Sequence, residues 1–155
     1  QKIEDGAYLF KVHKPMTQLW SSVGYGYDQP MQIDVEARVT LPGYNGEFGV
    51  ICGLTETERT VFAVSENGYF AIWKVQNDAM HYLQDWSYGG FDAEQTLNLS
   101  VQCGQGWYQF AVNQRVLAQG MDPDFKPGLT GLYVASYDKG GLTVHFDNFS
   151  VSIIE

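Results

Sequence analysis

Three sets of side chains in this sequence have the types and spacing for chemistry. Gln32, Asp34 and Glu36 alternate in Gln32-Ile33-Asp34-Val35-Glu36, which an extended strand would place on one face. Carboxylates sharing a face can serve as acid, base or nucleophile at a glycosidic bond. Trp20, Tyr25, Tyr27, Trp73, Trp86 and Tyr88 offer rings that pack on the C–H faces of sugars, and Gln84 and Asp85 stand beside Trp86 to take hydroxyls. Cys52 and Cys103 form the third set. His13, His81 and His145 are widely separated and read as structural histidines on strands. There is no GxSxG elbow, HExxH pair or glycine-rich phosphate loop, so neither a catalytic set nor a cofactor is expected. Two cysteines without a CxxC or a nearby His cluster do not make a zinc site.

The elements that must position these groups are strands. Short β-type runs recur between turn residues, with no helical periodicity of useful length, and they read as Ala7–Val12, Thr17–Ser21, Met31–Leu41, Phe48–Leu54, Thr60–Ser65, Tyr69–Val75, Met80–Trp86, Gln95–Cys103, Trp107–Val112, Arg115–Gln119, Gly131–Tyr137 and Leu142–Ile153. Turns are signalled by Pro42-Gly43, Asn45-Gly46, Glu66-Asn67-Gly68, Asn77-Asp78, Gly104 to Gly106 and Lys139-Gly140-Gly141. Tyr88 to Glu94 reads as a surface crossing. Alternation gives inner faces to Ile33, Val35, Ala37 and Val39, to Phe48, Val50 and Cys52, to Leu97, Leu99, Val101 and Cys103, to Tyr108, Phe110 and Val112, and to Val144 and Phe146. Apolar faces of this kind need a second sheet to cover them, so the fold expected is all-β, a two-sheet antiparallel sandwich. Both cysteines fall on inner faces, which leaves open a disulfide between neighbouring strands or two buried free thiols.

Composition narrows the function classes. The 155 residues read as one domain spanning 1–155, with a core sustained by 45% hydrophobic residues. Nine Lys and Arg against eighteen Asp and Glu give a net charge of −9, which argues against nucleic acid and anionic membrane surfaces. No run approaches the roughly 20 apolar residues of a membrane-spanning helix, so no membrane insertion is expected. Charged residues are 17% and aromatics 15% of the chain, so surface polarity rests on amides and hydroxyls, which suits neutral polyhydroxyl ligands. The opening QKIEDGAYLF lacks a signal peptide's succession of basic, apolar and small residues, as a mature exported form would.

The turn-spaced strands, FGVIC at Phe48–Cys52, ENGYFAIWK at Glu66–Lys74, Cys103-Gly104 and FDNFSV at Phe146–Val151 resemble the concanavalin A-like jelly rolls of extracellular bacterial proteins, akin to laminin G-like domains and family 66 carbohydrate-binding modules. The resemblance runs from about Asp5 to the end. It implies a jelly-roll sandwich, an extracellular or cell-surface location, and a disulfide joining Cys52 to Cys103. Two departures stand out. Gly53 occupies a position where relatives carry Arg, and the Trp-bearing segment that precedes the first strand in relatives is not in this sequence, which would leave a sheet edge open.

Gln32-Ile33-Asp34-Val35-Glu36 also resembles the carboxylate strand of family 16 glycoside hydrolases, but Gln32 stands at the nucleophile position, and an amide cannot form a glycosyl-enzyme intermediate. In related carbohydrate-binding families an Asp placed like Asp147 helps hold calcium, with Glu4 and Asp5 as further oxygens; the simpler expectation is a turn cap, and no metal is assigned. The function expected is a non-catalytic extracellular module that binds carbohydrate or mediates adhesion, with Trp73, Asp85, Trp86 and Tyr88 as its ligand-binding patch. Two alternatives stand beside it: a surface-assembly subunit that self-associates by strand pairing, and a degenerate glycosidase-like enzyme. The partner expected is a glycan or a surface protein.

Overall fold

The computed structural model describes residues 2–4, 7–137 and 141–154, with side chains for 8–23, 26–137 and 141–154. The expected Lys139-Gly140 turn, Asp5 and the side chains of Glu4 and Tyr25 lie outside the described residues. All the regular structure described is strand: β1 Lys2–Glu4, β2 Ala7–Val12, β3 Thr17–Gly26, β4 Met31–Leu41, β5 Gly46–Leu54, β6 Glu58–Ser65, β7 Tyr69–Gln76, β8 Ala79–Tyr88, β9 Leu97–Gly104, β10 Trp107–Val112, β11 Arg115–Met121, β12 Leu129–Ser136 and β13 Leu142–Ile153. They form two antiparallel sheets. The seven-stranded sheet runs β1-β2-β13-β4-β9-β10-β11, and the six-stranded sheet runs β3-β12-β5-β6-β7-β8.

The sandwich follows from the alternation. In β4 every second side chain from Met31 to Ala37 is buried, while Gln32, Asp34 and Glu36 between them face outward and are half-buried. The inner faces of both sheets meet in one core, where Phe62 of the six-stranded sheet packs edge-on against Tyr108 and Phe110 of the other at 6.0 and 5.7 Å. Such edge-to-face pairs contribute about 0.5–1.5 kcal/mol beyond the area they bury.

Local chemistry sets the register. Asn77 and Asp78 both take positive φ (51° and 65°) between Gln76 and Ala79, the two-residue hairpin turn that Asn and Asp tolerate best. Gly53 (φ 74°) is the extra residue of a bulge where β5 meets β12, since Cys52 pairs with Thr130 and Leu54 with Leu129. An Arg at that position would be strained, and its Cβ would lie 2.7 Å from the Lys126 carbonyl oxygen.

Three expectations need correction. Cys52 and Cys103 are bonded, but β5 and β9 belong to different sheets, so the bridge crosses the core rather than joining neighbouring strands. Both cysteines point inward from facing strands, and that is why only a cross-sheet bond can form. His13 lies in the exposed connection between β2 and β3 rather than on a strand. A strand also went unforeseen: β1 pairs with β2 from Lys2 opposite Leu9 to Glu4 opposite Ala7, covering that edge of the seven-stranded sheet.

Candidate functional site

On the six-stranded sheet both faces are apolar. Residues 46–52 of β5 are buried without a break, as are 60–64 of β6 and 70–73 of β7. The inward half joins the core; the outward half forms a second cluster of Ile51, Val61, Ala63, Ala71, Trp73, Tyr133 and Ala135. Across the outer face the register sets Trp20, Tyr133, Gly49, Ala63 and Ala71 in one row, and Ser22, Gly131, Ile51, Val61, Trp73 and Tyr82 in the next. The floor beneath the rings is therefore small. A Cβ on Gly49 would collide with the Phe62 carbonyl group, so glycine is required there by close strand approach. Over this floor Trp73 and Tyr133 meet edge to face at 5.4 Å although two strands separate theirs, and the pair, both rings buried, forms a packing ridge between two depressions.

The smaller depression, about 290 Å³, is lined by Asn45, Gly46, Glu47, Ser65, Asn67, Tyr69, Trp86 and Tyr137. Glu66 holds its rim by accepting the backbone N–H groups of Gly43 (2.9 Å) and Gly46 (2.7 Å), which fixes the turn before β5. Glu47 is buried and accepts the hydroxyls of Tyr133 and Tyr137, each at 2.6 Å. Burial raises its carboxyl above the ordinary 4.5 despite those two donors. Burial, together with the bond to Glu47, pushes the Tyr137 hydroxyl up to about 12. Tyr133 is raised in the same direction, by burial first and the neighbouring Glu47 second.

The larger depression, about 1020 Å³, opens at the other end of the face between Trp20, the β5–β6 turn and residues 122–129. Its wall contains the ion pair of Lys74 Nζ with Asp122 Oδ2 at 2.8 Å, while Arg59 lies over the Trp20 ring with 4.3 Å from guanidinium carbon to ring centroid. Burial alone would raise the Asp122 carboxyl, but the Lys74 bond and charge and the Asp124 backbone N–H outweigh it and hold it below 3.8.

The expected patch is brought together in part. Trp73 faces the same surface as Trp86, 6.0 Å away, but is only 6% exposed and serves as the ridge. Trp86 is half-buried and walls the smaller depression. Tyr88 is exposed and packs edge to face on Tyr69 (5.5 Å), which lines that depression. Asp85 is exposed, accepts the Trp86 backbone N–H at 2.7 Å, and lines neither depression. Trp20 walls the other end, and Tyr27 is exposed away from both linings. Glu47, Tyr133, Tyr137 and Arg59 were not singled out. The spacing of Tyr133, Ala135 and Tyr137 on one strand face was the available signal for two of them.

Gln32, Asp34 and Glu36 lie on the outer face of the seven-stranded sheet, remote from both depressions. Asp34 accepts Gln32 Nε2 (2.9 and 3.1 Å) and Ser100 Oγ (2.5 Å), and Gln102 Nε2 donates to Gln32 Oε1 at 3.1 Å. Asp147 accepts the backbone N–H of Asn148 at 2.7 Å, where Asn148 (φ 52°) forms a bulge. That is the capping role.

No protein-family model matches the chain, and no curated protein matches it in sequence. Solved structures do match. Carbohydrate-binding module CBM66 from Bacillus subtilis superposes with a TM-score of 0.72 at 12% identity, over 95% of each chain. Galectin LEC-6 of Caenorhabditis elegans gives 0.60 at 17% identity, over 93% of this chain and 95% of that one. A prokaryotic β-1,3-1,4-glucanase (lichenase) derived from a mouse hindgut metagenome gives 0.69 at 14% identity, over 97% and 80%. The chain therefore has the jelly-roll sandwich fold that these proteins share.

Proposed function

We propose that this chain is a non-catalytic carbohydrate-binding module that takes its ligand on the outer face of the six-stranded sheet. One observation carries the reading: Trp86, Glu47, Asn45, Asn67 and Tyr137 converge on a depression of about 290 Å³, near the lower limit of small-molecule pockets. An indole wall receives the C–H face of one sugar ring, and the carboxyl, amides and phenol receive its hydroxyls. The ligand class is a neutral glycan, in keeping with the −9 charge. Module CBM66 and the galectin among the similar folds support the same reading, and a disulfide-bonded jelly roll fits a secreted or cell-surface protein.

A glycan array followed by calorimetry on the hits tests it. Trp86→Ala should abolish binding while the domain stays folded, at a stability cost of about 1 kcal/mol for the lost ring contact with Trp73. A Trp86→Ala variant that binds every hit with unchanged affinity would sink the proposal. A second reading, self-association by strand pairing, is favoured by β8, the edge strand of this sheet, whose Met80, Tyr82 and Tyr88 are exposed. Light scattering at high concentration separates the two.

A further inference from the structure

We propose that Arg59 is the specificity residue of a second subsite, the larger depression, which reads adjacent hydroxyls of a neutral sugar and rejects acidic ones. This rests on the glycan-binding reading above and extends it along the same face.

Arg59 stands on the outer face of β6, opposite Val75 of β7, and reaches over two strands to Trp20 of β3. The contact with the ring holds the guanidinium in place, yet Arg59 makes no hydrogen bond or ion pair with the described residues, and its Nε is buried without an acceptor. A guanidinium carries five N–H donors in a fixed fork, and a buried donor left without an acceptor destabilises the empty protein. Several polar groups nearby are committed, Lys74 to Asp122, Gln76 Nε2 to Glu58 Oε1 at 3.2 Å, and the Asp124 backbone N–H to Asp122, while Asp28, Glu56 and the Asp124 carboxyl line the same depression. The fork is thus preorganised and unspent, as a ligand-reading group should be.

Charge selects the ligand. Asp28, Glu56, Glu58, Asp122 and Asp124 line the depression against Arg59, Lys74 and Lys126, on a chain that is itself strongly acidic. A carboxylate or sulfate on a sugar would pair with the fork but enter a site whose carboxylates outnumber its cations. Two neighbouring hydroxyls avoid that conflict: their oxygens accept the parallel N–H groups, and their protons are donated to the surrounding carboxylates. Trp20, 44% exposed, borders the same depression and leaves indole surface open to the sugar's C–H groups. From Glu47 to Gly53 along β5 is about 20 Å, so the two depressions would be filled by one oligosaccharide crossing the Trp73–Tyr133 ridge.

The test is a titration of the ¹⁵N-labelled chain that follows the Arg59 Nε–H signal, assigned by its loss in Arg59→Lys, and the indole N–H signals of the four Trp residues. The probes are neutral oligosaccharides from cellulose, xylan and mannan, each also after periodate opening of its vicinal diols, and two acidic probes, oligogalacturonate and chondroitin sulfate fragments. A neutral probe should move both the Arg59 and Trp20 signals, lose that effect after periodate, and bind Arg59→Lys about tenfold or more weakly with unchanged thermal unfolding. Movement of the Trp86 indole alone overturns the second subsite and leaves the glycan reading standing. Acidic probes that move Arg59 when neutral ones do not overturn the ligand class. If no probe moves any of these signals, both proposals fall.

Discussion

The outer faces of the two sheets solve the same problem in opposite ways. On the seven-stranded sheet the outward row is polar and closes on itself: Gln102 donates to Gln32, Gln32 to Asp34, and Ser100 to Asp34. On the six-stranded sheet the outward row is apolar, its rings fold over a floor of Gly49, Ala63 and Ala71, and the charged groups sit at the ends. A ladder whose donors and acceptors are spent on each other has little left to offer a ligand. A face with stacked rings, the exposed amides of Asn45 and Asn67, and a guanidinium without a hydrogen-bond partner among the described residues has more. The position of polar groups relative to their partners, rather than their number, separates the two surfaces.

If Trp73 is the ridge of that face, removing it should give the largest effect. Trp73→Ala deletes a ring buried to 6% exposure that touches Tyr133, Trp86 and Tyr82, and the expected loss is about 3–5 kcal/mol. Denaturant unfolding measures it. A loss below about 1 kcal/mol would mean that the second cluster is ornamental and that the two faces differ less than proposed. Reducing the Cys52–Cys103 bridge is the companion test, because it ties both sheets at once and favours neither face. Closing a loop of 51 residues contributes up to about 4 kcal/mol in the chain-entropy account. Reduced protein should unfold at lower denaturant yet still bind any glycan the oxidised protein binds.

The two ends of the six-stranded sheet's outer face should also part with pH. Glu47 has its carboxyl raised by burial, so stability it confers is complete below the ordinary 4.5 and declines as pH climbs through its higher folded value. Asp122 has its carboxyl lowered by Lys74, so its contribution is present above 3.8 and disappears as pH falls through its lower folded value. Glu47→Gln should therefore gain relative to the parent as pH rises from about 4.5, and Asp122→Asn should lose relative to it above about 3.8. Parallel thermal melts across this range decide the matter; curves of the same sign for both variants would contradict the assignment.

How much of this was legible in the sequence depended on periodicity. β2, β4, β10 and β13 alternate cleanly or are bounded by strong turns, and their observed limits coincide with those expected from the sequence. The second cluster was not legible because β5, β6 and β7 are apolar on both faces, and an unbroken apolar run does not say which side meets the core. Trp86 was recognisable from its polar neighbours. Glu47 and Arg59 were hidden, since one sits beside Phe48 in a core strand and the other meets Trp20, which lies 39 positions earlier in the chain. Asp85 adjoins Trp86 in sequence, and the structure sets it against the backbone of that residue, outside the depression that the ring walls.

The smallest effect is expected on the polar face. Gln32→Glu would restore the carboxylate that the alternating row lacks. If that strand were a dormant catalytic strand, the change would open a route to hydrolysis of laminarin or lichenan. The register argues otherwise, because Gln32 lies between Ser152 and Gln102 on the seven-stranded sheet, with the core between it and both depressions. What the substitution does alter is the ladder. Asp34 loses the two contacts from the Gln32 amide and gains a like charge, so stability should fall by about 1 kcal/mol at neutral pH and recover on acidification below the carboxylate range. Glycan affinity should be unchanged, since no group of either depression is touched. Turnover of either polysaccharide by Gln32→Glu, checked by reducing-end assay, would move the functional surface to the opposite sheet and reverse the comparison.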